Sequence, residues 1–187
     1  MSHKIASLSI LVWFILFLWG VELVNLFTGH SLLKFGIFPR SFSGLSGILA
    51  APFLHGGIRH LAVNTLPLLV LGSLVILHGR VVFIKNTILI TILAGLGVWL
   101  MGRPLIHVGS SSLIFGYFGF LVFRGMIKRS FISIVVTLLT IAAYGGLVWG
   151  IFPGAYGVSW EGHLSGFLAG IFCARVELSH KGGYSPI

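Results

Sequence analysis

Residues 107–124 read HVGSSSLIFGYFGFLVFR: a histidine, a glycine and three consecutive hydroxyls open an apolar run that meets Arg124 only 13 residues after Ser111. At about 1.5 Å per residue such a helix reaches about 20 Å, short of a hydrocarbon layer about 30 Å thick. Residues 161–175, EGHLSGFLAGIFCAR, repeat the pattern, with 12 residues from His163 to Arg175. If both arginines mark one membrane boundary, Ser111 and His163 lie at a common depth, about 10 Å below the opposite surface. Non-helical backbone at that depth is tolerated where it is buried in protein or lines a water-filled cavity. A hydroxyl, an imidazole and water then share one level.

The rest of the chain sets these two stretches in a membrane. Of 187 residues 57% are hydrophobic and 8% charged, against about a quarter charged in a soluble domain, so the expected fold class is an all-α polytopic membrane protein. Apolar runs at about Ile5–Phe27, His60–His78, Val81–Met101, Ser111–Phe123, Phe131–Phe152 and His163–Val176 give six transmembrane helices in one domain, 1–187. Ile5–Phe27 is too long for a signal-peptide core and no small-residue cleavage site follows it, so it reads as a retained span. The stretch from Thr28 to Gly57, rich in Gly, Ser, Pro and aromatics, reads as a long loop lying partly in the membrane interface. With the N-terminus inside, Lys4, Arg80, Lys85, Arg124, Lys128, Arg129, Arg175 and Lys181 face inward and Lys34, Arg40, Arg59 and Arg103 outward. That bias predicts cytoplasmic N- and C-termini. The net charge of +9 is scattered between apolar runs with no basic face, which argues against nucleic acid as a partner. The single cysteine, Cys173, excludes an internal disulfide and reads as a small packing residue.

Ser111 falls at the first turn of a helix, where unpaired N–H groups and the helix dipole favour an oxyanion. Gly109 just upstream lets the chain approach closely. Taken alone, Ser110, Ser111 and Ser112 read as a helix cap. Ser112, Gly116 and Gly119 form a small-residue face, and His163, Gly166 and Gly170 share a face on the last span, so the two backbones can pack closely. That approach brings an imidazole nitrogen within reach of a serine hydroxyl. In HGGIRHLAVNTLP, residues 55–67, His60 and Asn64 lie four apart on one helical face with His55 before them. Side-chain N–H groups there suit an oxyanion, or, for Asn64 alone, a hydrogen bond between helices.

Rival chemistries find little support. The eight histidines raise the possibility of a metal site, but HExxH and Asp are absent, and the three glutamates, Glu22, Glu161 and Glu177, are not at ligand spacing with His60 or His163. No metal or other cofactor is expected. Without Asp there is no Ser-His-Asp triad. Glu161 lies about 200° around the helix from His163, and Glu22 and Glu177 are placed near the inner helix ends. A Ser-His dyad oriented by packing is what remains.

At this point the chain resembles the rhomboid family of intramembrane serine proteases, over about residues 40–176. The shared pieces are His55, His60 and Asn64 on the second span, Gly109 and Ser111 opening the fourth, and His163 with Gly166 and Gly170 on the sixth. The resemblance implies a six-transmembrane-helix bundle, nucleophile Ser111, general base His163, and stabilisation of the transition-state oxygen by His60, Asn64 and the Ser111 backbone. Phe115 falls where the family often has an aromatic residue packed on the catalytic imidazole. It further implies cleavage of single-span membrane proteins near the outer end of their transmembrane helix, in a cell membrane and without cofactor. Two departures stand out: Ser112 replaces the second glycine of the frequent GxSG form, and Ser46 and Gly47 replace a common Trp-Arg pair in the first loop. A catalytically inactive rhomboid-like binder of membrane helices is the alternative reading. A channel or transporter is a third, against which stands the absence of an internal repeat.

Overall fold

In a computed structural model the described residues are 2–128, 131–154 and 157–182. Arg129, counted above among the inward charges, lies outside them. Among the described residues seven α-helices follow one another: α1 (Ser2–Phe27), α2 (Phe42–Ala50), α3 (Ile58–Ile76), α4 (Arg80–Met101), α5 (Ser111–Lys128), α6 (Phe131–Tyr144) and α7 (Trp160–Gly182). The expected count of six helices is not confirmed, because the stretch read as a long loop partly in the membrane interface contains α2. Ser41 starts α2 by accepting the Gly44 N–H at 3.0 Å, an N-cap. Gly44 and Gly47 then press it onto the backbone of Phe38 and Gly36. A side chain at residue 47 has no room there.

Segments Leu8–Phe27, Ile58–Ile76, Arg80–Met101 and Ile134–Ile151 are long and apolar enough to cross a membrane. Their outward faces carry exposed apolar side chains such as Trp13, Leu66, Leu100 and Leu139, as a lipid-facing surface requires. Helix α5 is different. Leu113, Ile114, Tyr117, Phe120 and Leu121 are all buried, and α3, α4, α6 and α7 pack around it. It is the central post of the bundle.

Helices α5 and α7 meet backbone to backbone. A Cβ on Gly166 would strike the carbonyl oxygen of Ser112, one on Gly170 that of Gly116, and one on Gly119 that of Phe167. This seam sets Ser111 level with His163, and the arginines do not. Helix α5 runs on past Arg124 to Lys128 and α7 runs from Trp160 past Arg175, about 27 Å and about 34 Å at 1.5 Å per residue. Arg124 need not mark a boundary, since its Nε lies 2.7 Å from Glu177 on α7 and the pair neutralises itself between helices.

Glu22 also departs from expectation. It sits five residues before the end of α1, at the Ser111 end of the bundle, buried beside Asn25. A chain that starts at the opposite end reaches this level by its sixth turn.

Candidate active site

His163 stands between two oxygen partners. Its Nε2 is 3.0 Å from Ser111 Oγ, and its Nδ1 is 2.9 Å from the carbonyl oxygen of Gly150. A carbonyl only accepts, so Nδ1 carries the proton and Nε2 turns its lone pair to the hydroxyl. Phe115 lies flat on the imidazole, ring centroids 4.0 Å apart and planes 9° from parallel. Gly150 belongs to a 3-10 segment, Gly145–Ile151, that continues α6. A Cβ there would come within 2.8 Å of Phe115 and 3.1 Å of His163 Nδ1, so glycine is what lets this carbonyl reach the ring.

The start of α7 is held as firmly. Ser159 Oγ accepts the Gly162 N–H at 3.2 Å and meets His107 Nδ1 at 2.7 Å. Glu161, directed away from His163 as its spacing foretells, takes Arg103 Nε at 2.6 Å and Nη2 at 3.1 Å. Arg103 also donates to the Val158 carbonyl at 2.7 Å. This clamp between the α4–α5 connection and α7 was not foreseen. Sequence offers no local signal for it, since Arg103 lies 58 residues before Glu161.

Across the cavity, Gly109 adopts φ +118°, a left-handed conformation that favours glycine. A Cβ at that position would also lie 2.9 Å from His60 Cε1. His60 Nδ1 accepts the Gly56 N–H at 3.3 Å, which leaves the proton on Nε2. Asn64 spends one N–H on the His60 carbonyl at 2.9 Å and keeps the other. His60, Asn64, Ser111, Phe115, Gly150 and His163 all line one cavity of about 990 Å³. Of the site residues expected from sequence, Gly109, Gly166 and Gly170 do not line it, and neither does His55; the glycines fix the backbones behind it.

The three hydroxyls divide their work. Ser111 faces the cavity, while Ser112 packs its carbonyl on Gly166. Ser110 is fully buried and turns to His55, whose Nε2 lies 3.1 Å from its hydroxyl and accepts its N–H at 3.2 Å. His55, in the turn before α3, therefore stands behind the α5 start and away from the cavity. Burial, aided by neighbouring His60, lowers the His55 pKa to about 4, so the ring is neutral and its lone pair available.

The family description "Rhomboid domain" matches residues 43–180. An uncharacterized protein of Mycobacterium tuberculosis is 43% identical over 170 residues, covering 86% of this chain and 71% of the relative. One of Mycobacterium leprae is 40% identical over 170 residues, 86% of this chain and 67% of that protein. RHOMBOID-like protein 4 of Arabidopsis thaliana is 31% identical over 144 residues, 70% of this chain and 34% of its own length. With its apolar helices the chain is a multi-pass membrane protein, and it belongs to the rhomboid family.

Proposed function

We propose that the chain is an intramembrane serine endopeptidase working by a Ser111-His163 dyad. The line Ser111 Oγ, His163 Nε2, His163 Nδ1, Gly150 carbonyl carries this reading. His163 takes the Ser111 proton as Oγ attacks the scissile carbonyl, then returns it to the leaving amine. The Ser111 N–H, His60 Nε2–H and the spare N–H of Asn64 receive the developing oxyanion. Water from the cavity then hydrolyses the acyl-enzyme, again through His163. Substrates are single-span membrane proteins, cut near the outer end of the transmembrane helix. The protein resides in a cell membrane with both termini cytoplasmic.

Labelling by a fluorophosphonate or isocoumarin tests the reading. Purified wild type is expected to label at Ser111, and Ser111→Ala to lose the label. Failure of wild type to label under conditions where it is folded would favour a silent binder of membrane helices.

Removing one oxyanion donor typically costs about 10²–10³ in kcat. His60→Ala and Asn64→Ala are therefore expected to lower kcat on that scale with KM nearly unchanged. Wild-type turnover of both variants in detergent and in liposomes would reduce these residues to helix contacts.

A further inference from the structure

The buried polar cluster at the end of α1 lies outside residues 43–180, the stretch matched to the family, and none of its side chains lines the cavity. Glu22 and Asn25 are 1% and 0% exposed. A carboxylate buried in an apolar helix is costly to keep, and Glu22 Oε1 has no hydrogen-bond partner among the described residues. Leucine would serve simple packing better.

The Asn25 carboxamide joins three segments. Its Nδ2 lies 3.2 Å from Glu22 Oε2, 3.3 Å from His30 Nδ1 and 3.1 Å from the His55 carbonyl oxygen. Its Oδ1 accepts the Leu32 N–H at 3.2 Å. A carboxamide can sit in either of two flipped orientations. Glu22, an acceptor, adds to the Leu32 N–H and the His55 carbonyl in favouring the one with Nδ2 toward His55; the reverse would set Oδ1 against both the Glu22 oxygen and the His55 carbonyl. From His55 the connection runs through Nε2 to the N–H and hydroxyl of Ser110. The Ser110 carbonyl in turn accepts the N–H groups of Leu113 and Ile114 at 3.0 and 3.1 Å, the opening bonds of α5. The Ser110–Ser111 peptide, whose N–H is the oxyanion donor proposed above, lies between these anchors.

We infer that Glu22 and Asn25 are positioning residues for the Ser111 peptide, acting from α1 through the His55 backbone and ring. This rests on the protease reading for its catalytic consequence. The hydrogen-bond linkage stands on the geometry alone.

Full-length protein in liposomes tests both parts, using wild type, Glu22→Ala, Glu22→Gln and Asn25→Ala with a single-span transmembrane substrate and rates scaled to the folded fraction. A 1 Å misplacement can cost about 10²-fold. Accordingly kcat is expected to fall about 10- to 100-fold in Glu22→Ala and Asn25→Ala with KM within about twofold. Glu22→Gln, which keeps an acceptor for Asn25, is expected to recover most of the rate. Unchanged kcat in the folded fraction of either alanine variant, or a Gln variant as slow as the Ala variant, overturns the inference.

A second measurement needs no turnover: amide exchange at Ser110 in a Ser111→Ala background. Adding Glu22→Ala or Asn25→Ala is expected to speed that exchange at least about tenfold, as anchors are lost. Unchanged protection overturns the linkage. Should wild type neither label nor cleave, the protease reading fails by itself, and the exchange result still decides whether α1 holds Ser110.

Discussion

His163→Ala is expected to lower kcat by on the order of 10⁴- to 10⁶-fold, the scale seen when one member of a serine-histidine unit is removed, while Glu161→Gln keeps most of the activity. The imidazole is the group at hydrogen-bond distance from Ser111, and its second nitrogen is spoken for by the Gly150 carbonyl. Glu161 faces Arg103 instead. A glutamine there still offers an oxygen to the guanidinium, so the α7 start keeps its place and His163 keeps its tautomer. The check is kcat for both variants at matched folded fraction. A loss in Glu161→Gln as deep as that in His163→Ala would falsify the dyad and require a carboxylate in the proton path.

The second large effect is expected from a residue with no reactive group. Gly170→Leu puts a side chain where the Gly116 carbonyl lies. Backbone cannot swing aside as a side chain can, so α7 must back away from α5. Overpacking of this kind costs about 1–3 kcal/mol of stability. The displacement also opens the 3.0 Å contact between Ser111 and His163, for which a further loss of about 10²-fold in kcat or more is expected. Gly166→Leu, opposed to the Ser112 carbonyl, acts nearer the dyad and is expected to match it. Leu168→Ala, on the exposed side of α7, is the control and leaves kcat within about twofold, as surface changes do. If Gly170→Leu retains wild-type kcat in its folded fraction, the seam does not set the catalytic geometry.

The parts legible in the sequence are those written in side-chain chemistry. Ser111 and His163 announced themselves as polar groups at the heads of apolar runs. Gly166 and Gly170 announced the close seam because their spacing follows the helical period. The common level of Ser111 and His163 follows from that seam and not from the arginines. Arg124 reads as a boundary until Glu177, 53 residues on, is seen beside it. Pairing between distant charges leaves no local pattern. Gly150 was illegible for a different reason: what it contributes is a backbone carbonyl, and every residue has one. Its reach depends on the 3-10 segment after Tyr144, hidden inside a run that reads as one uninterrupted span. Helix α2 hides in the sequence because glycines and serines resemble loop, and the helix survives through glycine contacts with backbone that no propensity records.

The Gly150 carbonyl has a consequence for pace. In a triad, a buried carboxylate both orients the imidazole and offsets the positive charge that forms on it during the reaction. A peptide oxygen does the first and little of the second, since it carries only a partial charge. With Glu161 already engaged by Arg103, the imidazolium of the proposed reaction would lean on dipoles and on water in the cavity. In the proposed protease this predicts slow cutting relative to a carboxylate-backed triad, so that a bound membrane helix has time to leave before it is cut and dwell time itself acts as a filter.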